Sequence, residues 1–141
     1  MAKEEITPSE WQIMEVLWAC GEPLTSSEVY KRMQGTVDMS MRMVRVLMNR
    51  LNQEDILGYT VDEHDSRVYH YYVQRSREEC VKEKSRKFVD TYFSGNGTNA
   101  MAALLQSFAL TDEQIKELEE ILEKSRERGT KSTDKEGGAH A

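Results

Sequence analysis

The chain has 141 residues, of which 38% are hydrophobic and 31% are charged, and its formal net charge is −6. This composition is typical of one or two small, helix-rich soluble domains. No apolar run approaches the ~20 residues of a membrane-spanning helix, so the sequence excludes that class of protein.

The first ten residues, MAKEEITPSE, are acidic and lack an apolar signal region, which predicts a cytoplasmic protein. Neither part of the chain is basic, since residues 1–77 hold 9 Lys/Arg and 12 Asp/Glu, and residues 78–141 hold 10 and 13. Any nucleic-acid-binding surface must therefore be a local patch.

The cysteines and histidines show no spacing typical of a metal site or a catalytic centre. Cys20 and Cys80 are far apart and have no CxxC neighbour, so we expect small apolar side chains on helices. The three histidines are scattered: His64, His70 and His140. The sequence predicts no metal, no cofactor, no catalytic residue and no small-molecule substrate, and hence no enzyme.

Two capping boxes predict the first two helices. Thr7-Pro8-Ser9-Glu10 opens a helix that Gly21 ends, and Thr25-Ser26-Ser27-Glu28 opens a shorter one through Met33, which Gly35 closes. The side chains expected to face inward are Trp11, Met14, Leu17, Trp18, Val29 and Met33.

A third helix, capped by Asp38 or Ser40, is predicted through about Glu54. At about 100° per residue it has an apolar arc and an opposite arc with arginines and no acid. The apolar arc comprises Val44, Leu47, Met48 and Leu51. The outward arc comprises Arg42, Arg45, Val46 and Asn49, with Arg50 on a flank. The outward arc is a candidate base-and-phosphate face, and an ordinary solvated face is the alternative.

Gly58 is expected to break this helix before two strands, Tyr59–Glu63 and Val68–Val73, which are joined by the turn His64-Asp65-Ser66-Arg67. A two-stranded hairpin is marginal alone, so it should pack on the helices. The strand tyrosines are expected to pack there too, rather than stack on bases. Arg67 lies at the tip, as a DNA contact or a plain turn residue.

Ser76-Arg77-Glu78-Glu79 opens a helix to about Phe93, and SGNGTN at 94–99 interrupts it. A helix over Ala100–Ala109 and another opened by Thr111-Asp112-Glu113-Gln114 follow. Their apolar stripes are too narrow to form a core, so a symmetric dimer is expected rather than packing back onto the first domain. The candidate interface residues are Phe88, Tyr92, Met101, Leu104, Leu105, Phe108, Ile115, Leu118, Ile121 and Leu122.

These elements predict a mainly α fold with a small β-hairpin. A winged helix-turn-helix domain is expected over residues 1–75, a C-terminal helical dimerisation segment over 76–128, and a polar, disordered tail over 129–141. A helix followed by a hairpin, with cations facing outward, is the layout of a winged-helix DNA reader. The candidate contacts with double-stranded operator DNA are Ser40, Arg42, Met43, Arg45, Val46, Asn49 and Arg67.

Six segments, taken in order, resemble the penicillinase-repressor family of bacterial transcription regulators, the BlaI, MecI and CopY group. They are ITPSEWQIMEVLW, PLTSSEVY, VRVLMNRL, ILGY, VYHYYV and SREECV, and the resemblance covers about residues 5–127. It implies a homodimeric winged-helix repressor that binds a palindromic operator and silences resistance genes. The alternative, motivated by the acidic net charge, is a winged-helix protein-interaction module without DNA binding.

The resemblance also implies how such a repressor is released. In the β-lactam branch a membrane sensor metalloprotease leads to cleavage in the dimerisation region, at a bond that matches Ser107–Phe108, where responsive members usually carry Asn. The copper branch uses a C-terminal cysteine pair motif, and no cysteine follows Leu122. Arg42 and Met43 stand where the family usually has threonines, so the operator sequence is expected to differ. The regulated genes and the inducer do not follow from the sequence.

Overall fold

The computed structural model of the chain describes the backbone of residues 5–136 and the side chains of residues 5–129. Within this range it contains six helices and one antiparallel two-stranded sheet. In chain order the elements are α1 (Pro8–Cys20), α2 (Ser26–Met33), α3 (Met41–Gln53), β1 (Leu57–Val61), β2 (Tyr69–Val73), α4 (Arg77–Phe93), α5 (Gly97–Ser107) and α6 (Asp112–Glu136). The order helix–helix–helix–hairpin confirms the predicted winged helix-turn-helix fold.

Side-chain caps begin the helices where the sequence predicts them. The side-chain oxygens of Thr7, Thr25 and Ser76 each accept a hydrogen bond from the backbone N–H three residues on, and the glutamate carboxylate there accepts one from the backbone N–H of the capping residue. Ser40, one of the two predicted caps for α3, accepts from the Met43 N–H at 3.1 Å. These caps satisfy N–H groups that the first helical turn leaves without partners, so local sequence alone fixes the starts.

The core of the first unit lies between α1, α2, α3 and the base of the hairpin. Val44, Met48 and Leu51 are fully buried on α3 and Leu47 is half-buried, which confirms the predicted inward arc. The two backbone hydrogen bonds between Leu24 and Tyr71, at 2.9 and 2.8 Å, join the loop before α2 to β2. This short bridge, which the sequence did not predict, ties the hairpin to the helices.

The turn between α3 and β1 is made by Asp55 and not by Gly58. Asp55 takes the left-handed conformation with φ 61°. Gly58 lies inside β1 opposite Tyr72, where a Cβ would lie 2.5 Å from the tyrosine ring. The prediction that Gly58 breaks the helix is therefore wrong, and so is the late start of the first strand. This glycine permits a close cross-strand approach instead of a turn.

The hairpin tyrosines divide by their distance from the hairpin base. Tyr71 is 8% exposed and packs in the core, as expected. Tyr59, Tyr69 and Tyr72 are exposed, so the expectation that they pack on helices is wrong for these three. Burial falls along β1 from Leu57 outward, because only the base of the hairpin reaches the helical core. The Tyr59 and Tyr69 rings instead stack on each other at 4.5 Å.

The first compact unit extends to Gly95 and includes α4, whereas the sequence predicts a boundary at residue 75. Cys80 is buried in the core, as expected for an apolar side chain on a helix. The Trp18 indole donates to the Arg75 carbonyl at 3.0 Å, and Lys84 donates to the Ile6 carbonyl at 2.6 Å. Long-range contacts of this kind, which spacing in the sequence does not reveal, join α4 to the winged unit.

The second compact unit begins at Asn96, and its first helix is α5. The Asn96 side chain accepts from the Asn99 N–H at 3.0 Å and starts the helix at Gly97, so the predicted break over 94–99 is shorter than expected. α5 then ends at Ser107, before the predicted end at residue 109.

The last helix begins at the predicted capping box, in which Thr111 and Gln114 exchange hydrogen bonds at 2.9 and 3.1 Å. The sequence predicts disorder from Gly129, but α6 continues to Glu136. One glycine costs a helix only about 1 kcal/mol, too little to end it by itself. The remainder of the predicted tail, residues 137–141, lies outside the described residues.

Candidate nucleic-acid interface

The side of α3 opposite the core presents the predicted outward arc. Arg42, Arg45, Val46 and Asn49 are all exposed on it. Val46 is 56% exposed, and Met43, beside this arc, is 48% exposed. Exposed apolar groups among guanidinium and amide donors suit a base-reading surface, because thymine offers a methyl group and guanine and adenine offer acceptors.

The first turn of α3 contains no acidic residue, although Asp38 precedes its cap by two residues. Helices α1, α2, α4 and α6 each have an acidic residue in their first turn, whereas α3 and α5 have none. No carboxylate within the first turn of α3 therefore opposes the positive end of its helix dipole, which favours an anion such as a phosphate there. Ser40 uses an oxygen lone pair to cap the helix, and its O–H can still donate to a phosphate.

Two cations that the sequence reasoning missed lie in the last turn of α2. Lys31 and Arg32 are both exposed. In helix-turn-helix proteins the helix before the recognition helix crosses the DNA backbone, so these side chains are candidate phosphate contacts. The signal was present in the sequence as a basic pair at the end of the short second helix.

Arg67 lies at the tip of the wing, and its side chain is 88% exposed. Its guanidinium is held by Asp65 in a fork, with Nε to Oδ1 at 3.1 Å and Nη2 to Oδ2 at 3.2 Å. The hydrogen bond from the Arg67 side chain lowers the pKa of the Asp65 carboxyl, so the pair stays charged at neutral pH. A phosphate must therefore compete with Asp65 for this cation.

The rest of the wing adds negative charge. Asp62 accepts a hydrogen bond from His70 Nε2 at 2.8 Å, and further ones from the backbone N–H groups of His64 and Asp65. These bonds, the His70 one first, lower the pKa of the Asp62 carboxyl. With Glu63 beside it, the wing is a weaker cationic partner for DNA than α3.

Arg50 is the one arginine of α3 that the fold turns inward. Its Nη1 lies 3.0 Å from Oε2 of Glu10, whose side chain is fully buried, and its Nη2 donates to the Glu5 carbonyl at 3.2 Å. The cations of α3 on the outward arc are thus Arg42 and Arg45. The capping-box motif predicts the hydrogen bond that one carboxylate oxygen of Glu10 accepts. The contact of the other oxygen depends on how α1 and α3 pack.

Within the described part of the chain, no group of three or more His, Cys, Asp or Glu side chains is arranged to hold a metal ion. Over the same residues no helix is both long and apolar enough to cross a membrane.

Residues 6–124 match the penicillinase repressor family. The chain belongs to this family. The resemblance seen in the sequence is thereby confirmed, and the penicillinase repressor family is one of DNA-binding transcriptional repressors, not of enzymes.

The matches to similar proteins cover most of this chain and most of each relative. The methicillin resistance regulatory protein MecI of Staphylococcus epidermidis is 22% identical over 120 residues, which cover 85% of this chain and 94% of MecI. The penicillinase repressor of Bacillus licheniformis is 24% identical over 124 residues, covering 88% and 94%. Among solved structures, the transcriptional regulator Tm0710 from Thermotoga maritima is 23% identical, covers 86% of this chain and 80% of that chain, and has a TM-score of 0.45.

Proposed function

We propose that this penicillinase repressor family member acts in the cytoplasm as a homodimer that binds a palindromic operator. Each protomer places α3 in the major groove of one half-site, and the half-sites lie about one helical turn apart. The observation that carries the proposal is the exposed, acid-free outward face of α3 in an otherwise acidic chain. Among the described residues, no hydrogen bond or ion pair satisfies the guanidinium groups of Arg42 and Arg45.

The contacts divide by chemistry. Arg45 and Asn49 on the middle of the face would read base edges, with Val46 against a thymine methyl. Arg42 and Ser40, at the start of α3, would reach a phosphate or a guanine. Met43, an apolar group beside Val46, would contact base edges as well. Lys31 and Arg32 from α2, with Arg67 at the edge, would fix register on the backbone, which gives affinity without sequence preference.

Unpartnered apolar side chains support the dimer. Nine of the ten residues predicted for the interface are exposed large hydrophobic residues, and Leu118 is half-buried. Tyr92 is 71% exposed, Phe108 64% and Leu122 60%. Exposed apolar groups in such number mark a surface that is covered in the working protein, and a second copy covers them symmetrically. Joining two half-site readers raises overall affinity through effective concentration.

Cleavage at Ser107–Phe108 is the proposed release step. α5 ends at Ser107, and Phe108 is extended with φ −124° and ψ 142°. Ser107 is exposed and is not one of the proposed interface residues, and the bond lies in irregular chain at the end of a helix, where proteolysis concentrates. A cut there separates α6 from α5, weakens the dimer and uncouples the half-sites. The partner would be a membrane sensor metalloprotease, and intact repressor in induced cells that express the target genes would contradict the step.

The acidic wing favours one second candidate, a winged-helix module that binds a protein and no DNA. The deciding experiment selects duplexes from a random-sequence pool with the full chain and measures affinity at several salt concentrations. A DNA reader enriches a palindrome, and log K falls by about 0.9 per neutralised phosphate for each decade of salt. Absence of enrichment at low salt would favour the protein-binding module.

Two variants sharpen this experiment. Arg42→Ala combined with Arg45→Ala should abolish enrichment, because it removes both cations of the outward arc. Arg86→Ala on α4 removes an arginine that is also exposed but lies outside the proposed surface, and it should leave enrichment and salt dependence unchanged. Equal loss in both variants would mean that net charge, and not the α3 face, drives binding.

A further inference from the structure

We infer that the ion pair between Glu10 and Arg50 sets the rotation of α3 about its own axis, and that this rotation determines how well the protein discriminates its operator from other DNA. The inference rests on the proposed function, since it assigns Glu10 and Arg50 as positioning residues for the face that reads DNA. Neither residue needs to touch DNA for this role.

Glu10 is held rigidly by α1. Among the described residues, Glu10 is the one charged residue that is buried, and none of its surface is exposed. Its Oε1 accepts from the Thr7 N–H at 2.8 Å, while the Thr7 hydroxyl oxygen accepts from the Glu10 N–H at 3.2 Å. The capping box therefore fixes one carboxylate oxygen, and the second oxygen points out of the box at a defined place.

Arg50 connects the second carboxylate oxygen of Glu10 to α3. Its Nη1 lies 3.0 Å from the second Glu10 oxygen, and its Nη2 donates to the carbonyl of Glu5 at 3.2 Å. The contact with Glu10 is an ion pair rather than an aligned hydrogen bond, whereas the contact with the Glu5 carbonyl is a hydrogen bond. A planar guanidinium held at both of these places has little freedom to turn. Arg50 follows Asn49 by one residue, about 100° around the helix, so a grip on this flank fixes the direction in which the outward arc points.

Apolar packing alone does not define this rotation as well. The buried arc of Val44, Met48 and Leu51 makes contacts that are individually weak and non-directional. A rotation of roughly 20° moves a side-chain tip that lies about 6 Å from the helix axis by about 2 Å. A displacement of that size breaks hydrogen bonds to base edges, whereas attraction to phosphates, which acts over a longer range, persists.

A buried ion pair also contributes little to the free energy of folding, because desolvation of both charges offsets much of their attraction. The pair instead links the fixed start of α1 at Thr7 to the flank of α3, and this link defines the rotation of α3 about its axis. Discrimination between DNA sequences is the property that depends on such definition.

The test compares Glu10→Gln with Glu15→Gln in the full chain. Glu15 lies on the same helix and pairs with Arg77 at 2.6 Å, but both partners are about half exposed and neither belongs to α3. Each variant is titrated with the duplex that the wild type enriches from a random pool, and with a scrambled duplex of equal length. Measurements are made well below the melting temperature, with the folded fraction checked by circular dichroism.

We expect Glu10→Gln to lower operator affinity about tenfold or more while affinity for the scrambled duplex changes less than twofold. Glu15→Gln should change neither. A parallel fall of both affinities, tracking the folded fraction, would show a merely structural role and overturn the inference. Unchanged operator affinity would overturn it as well. If the wild type enriches no duplex, the proposed function itself fails, which is a different result.

Arg50→Lys covers the case in which Glu10→Gln does not fold. It keeps a cation beside the buried carboxylate but has one nitrogen in place of the fork, so it cannot meet Glu10 and Glu5 together. We expect a folded protein with reduced discrimination and shifted backbone amide resonances at Arg45 and Asn49 in the absence of DNA. Wild-type discrimination and unshifted resonances in this variant would contradict the positioning role.

Discussion

Replacement of Phe108 by alanine tests whether the exposed apolar side chains of α5, α6 and the segment between them form the dimer interface. Phe108 is 64% exposed in the single chain. Full burial of a phenylalanine side chain is worth about 1.5–3 kcal/mol, so covering its exposed part contributes about 1–2 kcal/mol. In a two-fold symmetric dimer the side chain occurs twice, which gives about 2–4 kcal/mol per dimer.

This free energy corresponds to an increase of about 30- to 1,000-fold in the dimer dissociation constant. Sedimentation equilibrium over a range of concentrations measures that constant directly. Tyr72→Ala is the matched control, because Tyr72 is also an exposed aromatic residue, at 39%, but lies on the hairpin. A dissociation constant for Phe108→Ala within twofold of the wild type would refute the assignment of this residue to the interface.

Three further predictions concern the reading face, the wing and the cysteines. Arg45→Ala should lower operator affinity in a gel-shift titration by about 1–3 kcal/mol for each half-site base contact, and leave the dimer dissociation constant unchanged. Asp65→Asn should strengthen DNA binding and steepen its salt dependence, because it releases Arg67 from the carboxylate fork. Because Arg67 lowers the pKa of the Asp65 carboxyl, the ion pair between them is present at neutral pH and is lost only as the pH falls through that lowered pKa. The DNA affinity of the wild type should therefore show no gain from a freed Arg67 between pH 6 and 8. Burial raises the pKa of the Cys80 thiol, so at any given pH a smaller fraction of it is the reactive thiolate. A thiol reagent should therefore label the partly exposed Cys20 first, and Cys80 only when the protein unfolds. Rapid labelling of both cysteines in the native protein would contradict this prediction.

The starts of all described helices except α5, and the two arcs of α3, could be predicted because the contacts that define them are local. A cap and its partner are three residues apart, as in Thr7 and Glu10, so spacing in the sequence is enough to find them. The exposure of Arg42 and Arg45 followed from helical periodicity in the same way. The family resemblance came from segments of this kind, taken in order.

Contacts between distant residues were not predictable. Arg50 lies on α3 and donates to Glu5, 45 residues earlier, and Trp18 donates to Arg75, 57 residues later. The sequence placed Arg50 on a flank but did not give it a partner. The membership of α4 in the first compact unit depends on contacts of the same type, which spacing in the sequence does not reveal.

Sequence by itself therefore determined the elements of this repressor family member and the chemistry of its outward face. Tertiary structure decided the roles of residues that the sequence left ambiguous. Gly58 does not form a turn but leaves space for the Tyr72 ring on the neighbouring strand. Arg50 pairs with Glu10 and so lies off the outward face. The physical reason is the range of the interactions. Backbone hydrogen bonds and helical periodicity act within a few residues, whereas the burial of a charge or an aromatic ring depends on which surfaces the whole fold brings together.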